Sequence, residues 1–170
     1  FDQFTASAGP GLLFVLAVIG FGAKAGFMPL HVWLPEAHPA APIHVSALMS
    51  GVMIKTGMYG LVRFLTFLGP PALWWGWVLC SVGLVSGILG ILFALAQRAL
   101  KRVLAYSSVE NMGIITLGLG LGLIGVSTGS PTLAVFGLAG GLLHVLNYAL
   151  FKGLLFLGAG AVMHGADTRD

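Results

Sequence analysis

The chain has 170 residues, of which 58% are hydrophobic and 8% charged, with a net charge of +3. A soluble domain carries charge on about a quarter of its residues, so this composition cannot clothe a water-exposed surface, and the surrounding solvent is expected to be mostly lipid. The small net charge, with no Lys/Arg stripe interleaved with aromatics, argues against nucleic acid as a partner, and the single cysteine, Cys80, can form no intrachain disulfide.

A membrane helix needs about 20 mainly apolar residues, and five candidates follow in chain order. The first runs from Gly11 to about Ala25 and is expected to break near Gly26 and Pro29, with Leu30 to Leu34 as a continuation. The second runs from about Pro42 to Leu68, ending before Gly69-Pro70-Pro71. The third covers about Ala72 to Ala96, the fourth Leu104 to Val126, and the fifth Thr132 to Met163. No basic n-region precedes Gly11 to Ile19, so that stretch does not read as a signal peptide. The polar stretches Phe1 to Ala8 and His164 to Asp170 read as cut points in a longer protein. The fold class is therefore all-α, a polytopic transmembrane bundle forming one domain over residues 1–170. Small residues four apart, Gly83/Gly87 and Gly137/Gly141, allow helix backbones to approach closely in lipid.

Arg98, Lys101 and Arg102 cluster between the third and fourth helices, which places that loop in the cytoplasm. Counting alternately, the Pro35 to Ala41 loop and the segment from His164 onward lie on the same side. The Gly69 to Pro71 and Ser127 to Pro131 turns then face outward. Arg63, near the outer end of its helix, fits this count only by snorkelling.

Three lysines sit where lipid penalises charge: Lys24, Lys55 and Lys152. A lysine at a helix centre costs roughly 2.5–3.5 kcal/mol on insertion scales, so such residues face a protein interior or a water-filled path. In such a place an ammonium can lose and regain a proton. The plainer alternative is a static ion pair with a buried carboxylate. Lys24 precedes the expected break, and irregular backbone within a membrane is tolerated only where it lines a cavity. Its plainer alternative is a helix end with a snorkelling lysine.

Histidines and Glu110 form a second layer. His44 precedes Lys55 by almost a whole number of turns, which puts the two on one face about 16 Å apart. His144, Tyr148 and Lys152 recur every four residues and make one polar stripe on the fifth helix. An imidazole titrates near neutrality and can pass a proton between its nitrogens, but an isolated one usually serves packing. Glu110 lies two turns into the fourth helix and has Lys101 and Arg102 as possible partners. Glu36 and His38 are expected to be solvated, with His31 in the same segment. Gly120, Gly122 and Gly125 match G-x-G-x-x-G, but no strand precedes them, so a nucleotide site is not indicated. The histidines and cysteine lack zinc-ligand spacing.

The run from Phe21 to Pro42, FGAKAGFMPLHVWLPEAHPAAP, resembles the seventh-helix region of the antiporter-like membrane subunits of respiratory complex I and its relatives. VSALMSGVMIKTGMYG, from Val45 to Gly60, is similar to the following helix in that family. KRVLAYSSVENMG, from Lys101 to Gly113, is similar to the start of its tenth helix, and HVLNYALFK, from His144 to Lys152, to its eleventh. Glu110-Asn111 and LFKGLLFLGAGAV, from Leu150 to Val162, resemble most the hydrogenase-4 and formate hydrogenlyase branch.

The resemblance implies a parent of about fourteen helices in two inverted five-helix repeats, with this chain holding most of the second. It implies Lys24 as the switching lysine of a proton path, paired with a carboxylate before Phe1, and Lys55 and Lys152 as a midplane relay. His144, Glu110 and His44 are assigned to the same path. Two positions depart from the family pattern. Ala99 stands where an acidic residue often precedes Leu-Lys-Arg, and Tyr148 replaces a frequent histidine, so a relay from His144 to Lys152 would need ordered water.

The expected function is a proton-translocating membrane subunit of a hydrogenase-4, formate hydrogenlyase or NADH:quinone oxidoreductase-like complex in a bacterial or archaeal inner membrane. Its partners would be the bilayer, other membrane and peripheral subunits, and protons, or Na⁺ in their place. No cofactor is expected in this chain, because no ligand set for iron–sulfur clusters, flavin or nickel is present; electron transfer would belong to other subunits. The alternatives are an Mrp-type cation/proton antiporter subunit with no redox partner, and a degenerate scaffold subunit.

Overall fold

With no water in the bilayer core, backbone this apolar must pair its own N–H and C=O groups, and the helix does so within one segment. The protein's structure, a computed structural model, describes residues 9–165. The expected cut points at 1–8 and beyond Gly165 lie outside the described residues. The elements are α1 (Pro10–Ala25), α2 (Trp33–Ala40), α3 (Ile43–Leu48), a π-helical turn (Met49–Met53), α4 (Ile54–Leu65), α5 (Leu73–Leu95), α6 (Leu100–Ser127) and α7 (Pro131–Gly165). Among the described residues there is no strand. Four stretches are long and apolar enough to cross a membrane: Ile43–Leu65, Leu73–Leu95, Leu100–Ser127 and Pro131–Gly165. With the 16-residue α1 they make the expected all-α bundle.

The break falls where Gly and Pro predicted it. Gly26 adopts φ +83°, a left-handed geometry that closes α1 and that a side chain would strain. A helix end leaves carbonyls unpaired, which is costly away from water. Here the Trp33 indole N–H donates to the Ala23 carbonyl at 2.8 Å, and the Met28 backbone N–H donates to Ser86 Oγ on α5 at 3.0 Å. The break is thus stitched to both α1 and α5. The continuation expected at Leu30 to Leu34 is a turn until Trp33, and the Pro35 to Ala41 segment, expected as a loop, is mostly helix α2.

The second span is not one regular α-helix. The π-helical turn at Met49–Met53 inserts a wider ring, so the chain winds less per residue there. The face shared by His44 and Lys55 in an ideal α-helix is therefore lost.

Helices α5, α6 and α7 pack backbone to backbone, as the glycine spacing implied. A Cβ on Gly83 would lie 2.6 Å from Leu117 N, and one on Gly120 would lie 2.7 Å from Cys80 N. On the other face of α6, a Cβ on Gly118 would lie 2.9 Å from Gly141 Cα, and Gly137 meets the backbone of Gly122. The Gly120–Gly122–Gly125 pattern is therefore a packing seam. Cys80 is buried within it, as a small packing residue.

The ends of the bundle agree with the charge-based topology. Arg102 Nη2 lies 3.3 Å from Glu36 Oε1, and Lys101 Nζ donates to the carbonyls of Pro39 (3.4 Å) and Ala41 (3.0 Å). A Cβ on Gly160 would meet Ile43 Cγ2 at 2.6 Å. Thus α2, the start of α3, the start of α6 and the end of α7 share one end, hereafter the basic end.

Candidate functional site

The polar stripe expected on α7 exists, and it faces hydroxyls that α3–α4 and α6 bring to meet it. Lys152 is 1% exposed, and its Nζ donates to Ser107 Oγ on α6. One turn earlier, Tyr148 is fully buried, with its hydroxyl 2.9 Å from Ser50 Oγ in the π-helical turn. A further turn earlier, His144 Nε2 lies 3.0 Å from Asn111 Oδ1. Lys55 completes the cluster from α4. Its Nζ donates to the Ser50 carbonyl at 2.8 Å and lies 3.8 Å from the centre of the Tyr148 ring, where a cation is attracted to the π face.

Counting protons fixes the direction of these bonds. A serine hydroxyl carries one hydrogen. Ser108 gives its hydrogen to the Leu104 carbonyl (2.9 Å), so at 3.0 Å from Ser50 it can only accept. Ser50 must therefore donate to Ser108 and accept from Tyr148. The ordered chain runs Tyr148 to Ser50 to Ser108 to the Leu104 carbonyl. Ser107 gives its hydrogen to that same carbonyl (3.1 Å), which leaves its oxygen to accept from Lys152. Asn111 Nδ2 donates to the Ser107 carbonyl (2.7 Å), so its Oδ1 accepts and His144 donates from Nε2. The hydroxyl chain that starts at Tyr148, whose ring seats Lys55, and the Lys152–Ser107 pair thus end on one carbonyl. A carbonyl has no proton to pass, so transfer between the two halves needs a water beside it.

Glu110 is partly buried on α6, its backbone pressed against Gly90 of α5, and its carboxylate is within electrostatic reach of Lys152. The partners weighed for it from sequence, Lys101 and Arg102, bond instead to α2. Hence Ala99 does not cost the loop its ion pair, since Glu36 supplies the carboxylate across the gap.

Two expected site residues stand apart. Lys24 is exposed in the last turn of α1, and His44 is exposed at the start of α3. Neither has a hydrogen bond to the Lys55–Lys152 cluster among the described residues. Lys24 was expected to face a protein interior or a water-filled path; the pitch of α1 buries Phe14, Ala17, Gly22 and Ala25 against the described bundle and leaves Lys24 on its outer face.

His38 departs furthest from expectation. It was read as solvated, yet it is 0% exposed, stacked on Phe156 at 4.8 Å between ring centres. Glu36 is exposed as expected, its side chain 70% open. The difference is the short helix α2, which sends residues two apart to opposite sides. Neither His38 ring nitrogen has a hydrogen-bond partner among the described residues. Burial, followed by the charges of Lys152 and Lys101, lowers its pKa from 6.5 to about 4. His31 is also pushed down by burial.

Sequence reasoning missed Ser50 and Ser107, which accept from the lysines, and Ser108 and Asn111, which bond to those two serines in turn. The available signal was hydroxyl and amide side chains inside otherwise apolar helices, at positions facing the α7 stripe.

The transmembrane family described as NADH:quinone oxidoreductase/Mrp antiporter matches residues 2–170. The chain belongs to this family. Within it, this antiporter-family chain is 55% identical to hydrogenase-4 component B of Escherichia coli K12, an alignment covering 98% of the chain and 26% of that protein. It is 45% identical to formate hydrogenlyase subunit 3 of the same organism, over 93% of the chain and 26% of the relative. It is 40% identical to one component of a probable K(+)/H(+) antiporter of Rhizobium meliloti, over 94% of the chain and 15% of the relative. The chain spans about a quarter of the length of the hydrogenase-4 and formate hydrogenlyase relatives. The family membership read from the motifs is thereby established, together with a multi-pass membrane protein related to the hydrogenase-4 branch.

Proposed function

We propose that this chain is the proton-conducting part of a membrane subunit in a hydrogenase-4, formate hydrogenlyase or NADH:quinone oxidoreductase-like complex. Electron transfer in partner subunits would drive protons through Lys55 and Lys152. The observation that carries the reading is Lys152, 1% exposed with a hydroxyl as its hydrogen-bond acceptor. A static structural ammonium at such a depth is usually neutralised by direct contact with a carboxylate. A lysine held by a neutral acceptor can lose its proton without stranding an opposite charge. Glu110 supplies a nearby carboxylate without forming a contact pair with Lys152 among the described residues.

Lys24, exposed on this bundle, would act as the switch against a carboxylate outside the chain. His144, bonded to Asn111, would belong to the same path, and His44 would lie on an outer branch of it. Mutation in the full-length protein within its complex tests the reading. Lys24→Met and Lys152→Met should each abolish proton translocation while the complex still assembles. Wild-type translocation in both would overturn the assignment.

A second reading is an Mrp-type antiporter subunit without a redox partner, in which the same lysines exchange H⁺ for Na⁺ or K⁺. The identity to the Rhizobium meliloti antiporter component favours it. Co-purification separates the two: hydrogenase or dehydrogenase subunits accompany the first, and only further antiporter subunits the second.

A further inference from the structure

His38 is closed off by this chain alone. Its ring stacks on Phe156 of α7, one turn beyond Lys152. Its own carbonyl accepts from Ser46 Oγ of α3 at 3.0 Å. Lys101 of α6 is anchored on the neighbouring Pro39 and Ala41 carbonyls. The charged groups that face it are Lys152 from α7 and Lys101 from α6; α3 presents only the Ser46 hydroxyl. A ring that is 0% exposed, with both nitrogens unpaired among the described residues, bears the desolvation cost of two polar atoms and gains no hydrogen bond from those residues for it. A histidine kept for packing alone would be served as well by an aromatic hydrocarbon ring, given its stacked neighbour.

We propose that His38 is the residue through which protons pass between the basic end of the bundle and Lys152. The inference rests on the proton-conducting reading given above. In each passage a water at the basic end gives a proton to one nitrogen of the neutral ring and leaves as hydroxide, which the aqueous phase reprotonates. The imidazolium so formed releases the proton on its opposite nitrogen, through a bridging water, to the unprotonated Lys152 amine. Lys152 becomes the ammonium and His38 returns to the neutral form with its hydrogen on the other nitrogen. Exchange of the ring hydrogen between the two nitrogens through the same waters restores the first tautomer, and no hydrogen bond to protein among the described residues has to break for it.

The test uses the full-length protein in its complex, reconstituted in vesicles, with proton flux driven by an imposed potassium diffusion potential and read with an entrapped pH dye. H38Q and H38E place side chains of equal size at the site, of which only the second can carry a proton. H38Q should lower flux about a hundredfold, and H38E should recover much of it, with equal amounts of assembled complex. Equal flux in the two variants overturns the proposal, whether both are fast or both slow. If H38Q fails to assemble, the pair H38N and H38D is read in the same way. K152M run alongside separates the two ideas: a dead K152M with wild-type H38Q refutes His38 alone, whereas wild-type flux in K152M refutes the proton path itself.

Discussion

Lys55 holds its ammonium 3.8 Å from the centre of the Tyr148 ring while donating to the Ser50 carbonyl at 2.8 Å. The tyrosine that replaces a histidine expected in the family pattern is therefore a seat for one lysine rather than a stepping stone to the other. Tyr148→Phe keeps the π face and loses the bond to Ser50, worth about 1 kcal/mol. Tyr148→Leu loses the face as well. Proton flux in reconstituted complex should fall severalfold in the first variant and more than tenfold in the second. An equal loss in both would mean that the hydroxyl, not the ring, matters.

Among the described residues, Lys152 reaches only Ser107 by hydrogen bond. Ser107→Ala leaves the buried ammonium without that acceptor, at a cost of about 1–3 kcal/mol, and should slow flux about tenfold or more. Ser108→Ala, which cuts the Tyr148–Ser50 chain instead, should leave Lys152 itself accessible to slow proton exchange. Hydrogen–deuterium exchange at the lysine amine, followed by vibrational spectroscopy, distinguishes the two.

The π-helical turn sets the direction in which Lys55 points. Deleting Val52, which is exposed, should let Met49–Met53 relax to regular α-helix and rotate everything after it by about 100° relative to α3. Lys55 then leaves Tyr148. The variant should insert and assemble but conduct no protons; retained conduction would show that the widened turn is incidental.

The glycine seam predicts stability effects away from the polar cluster. A Cβ on Gly83 would fall 2.6–2.7 Å from backbone atoms Leu117 N and Gly113 O. Gly83→Ala should destabilise the protein by about 1–3 kcal/mol. Gly140→Ala, where nothing lies within 4 Å of the new methyl, should be neutral or slightly stabilising. Unfolding in mixed detergent micelles, monitored by tryptophan fluorescence, compares them.

His38 predicts a pH dependence of known sign. Its folded-state pKa is about 4, against 6.5 for a free ring. Above about pH 6.5 the ring is neutral in both states and the full stability is present. Between pH 6.5 and 4 the unfolded state takes up a proton that the fold refuses, so stability falls, and below pH 4 it levels off. The loss is about 3 kcal/mol at most. Thermal midpoints of wild type should therefore drop relative to H38Q on going from about pH 7 to about pH 4.5. Parallel curves for the two would show that the ring is not held neutral.

The sequence made the outline of this molecule legible because lipid leaves few alternatives. The five helices, the break at Gly26 and the seams at Gly83 and Gly137 follow from apolar length, backbone geometry and small-residue spacing. The α7 stripe was readable for the same reason, since four-residue spacing survives in a regular helix. Where regularity fails, the reading fails with it. His44 and Lys55 were placed on one face by an ideal α-helix that the π-helical turn interrupts. His38 was taken as solvated because Pro35 to Ala41 looks like a loop, whereas the short helix there gives it an inner side. Lys24 was expected from its cost in lipid to face a protein interior or a water-filled path; it is exposed on this bundle, and cost says only that a charge must be answered, not by which surface.

The bundle's two kinds of contact also imply where it can move. Within α5, α6 and α7, backbone lies on backbone at the glycines, and sliding one past another would drive main-chain atoms together. Between that group and α4, by contrast, the link at Tyr148, Ser50 and Ser108 is a chain of hydroxyl hydrogen bonds that ends on the Leu104 carbonyl. Mechanically, three helices form a stator, and the π-helical turn is the bearing that rides on it. A slip at that bearing would break the Tyr148–Ser50 and Ser50–Ser108 bonds together, so that the position of the helix and the continuity of the hydroxyl chain depend on the same two bonds.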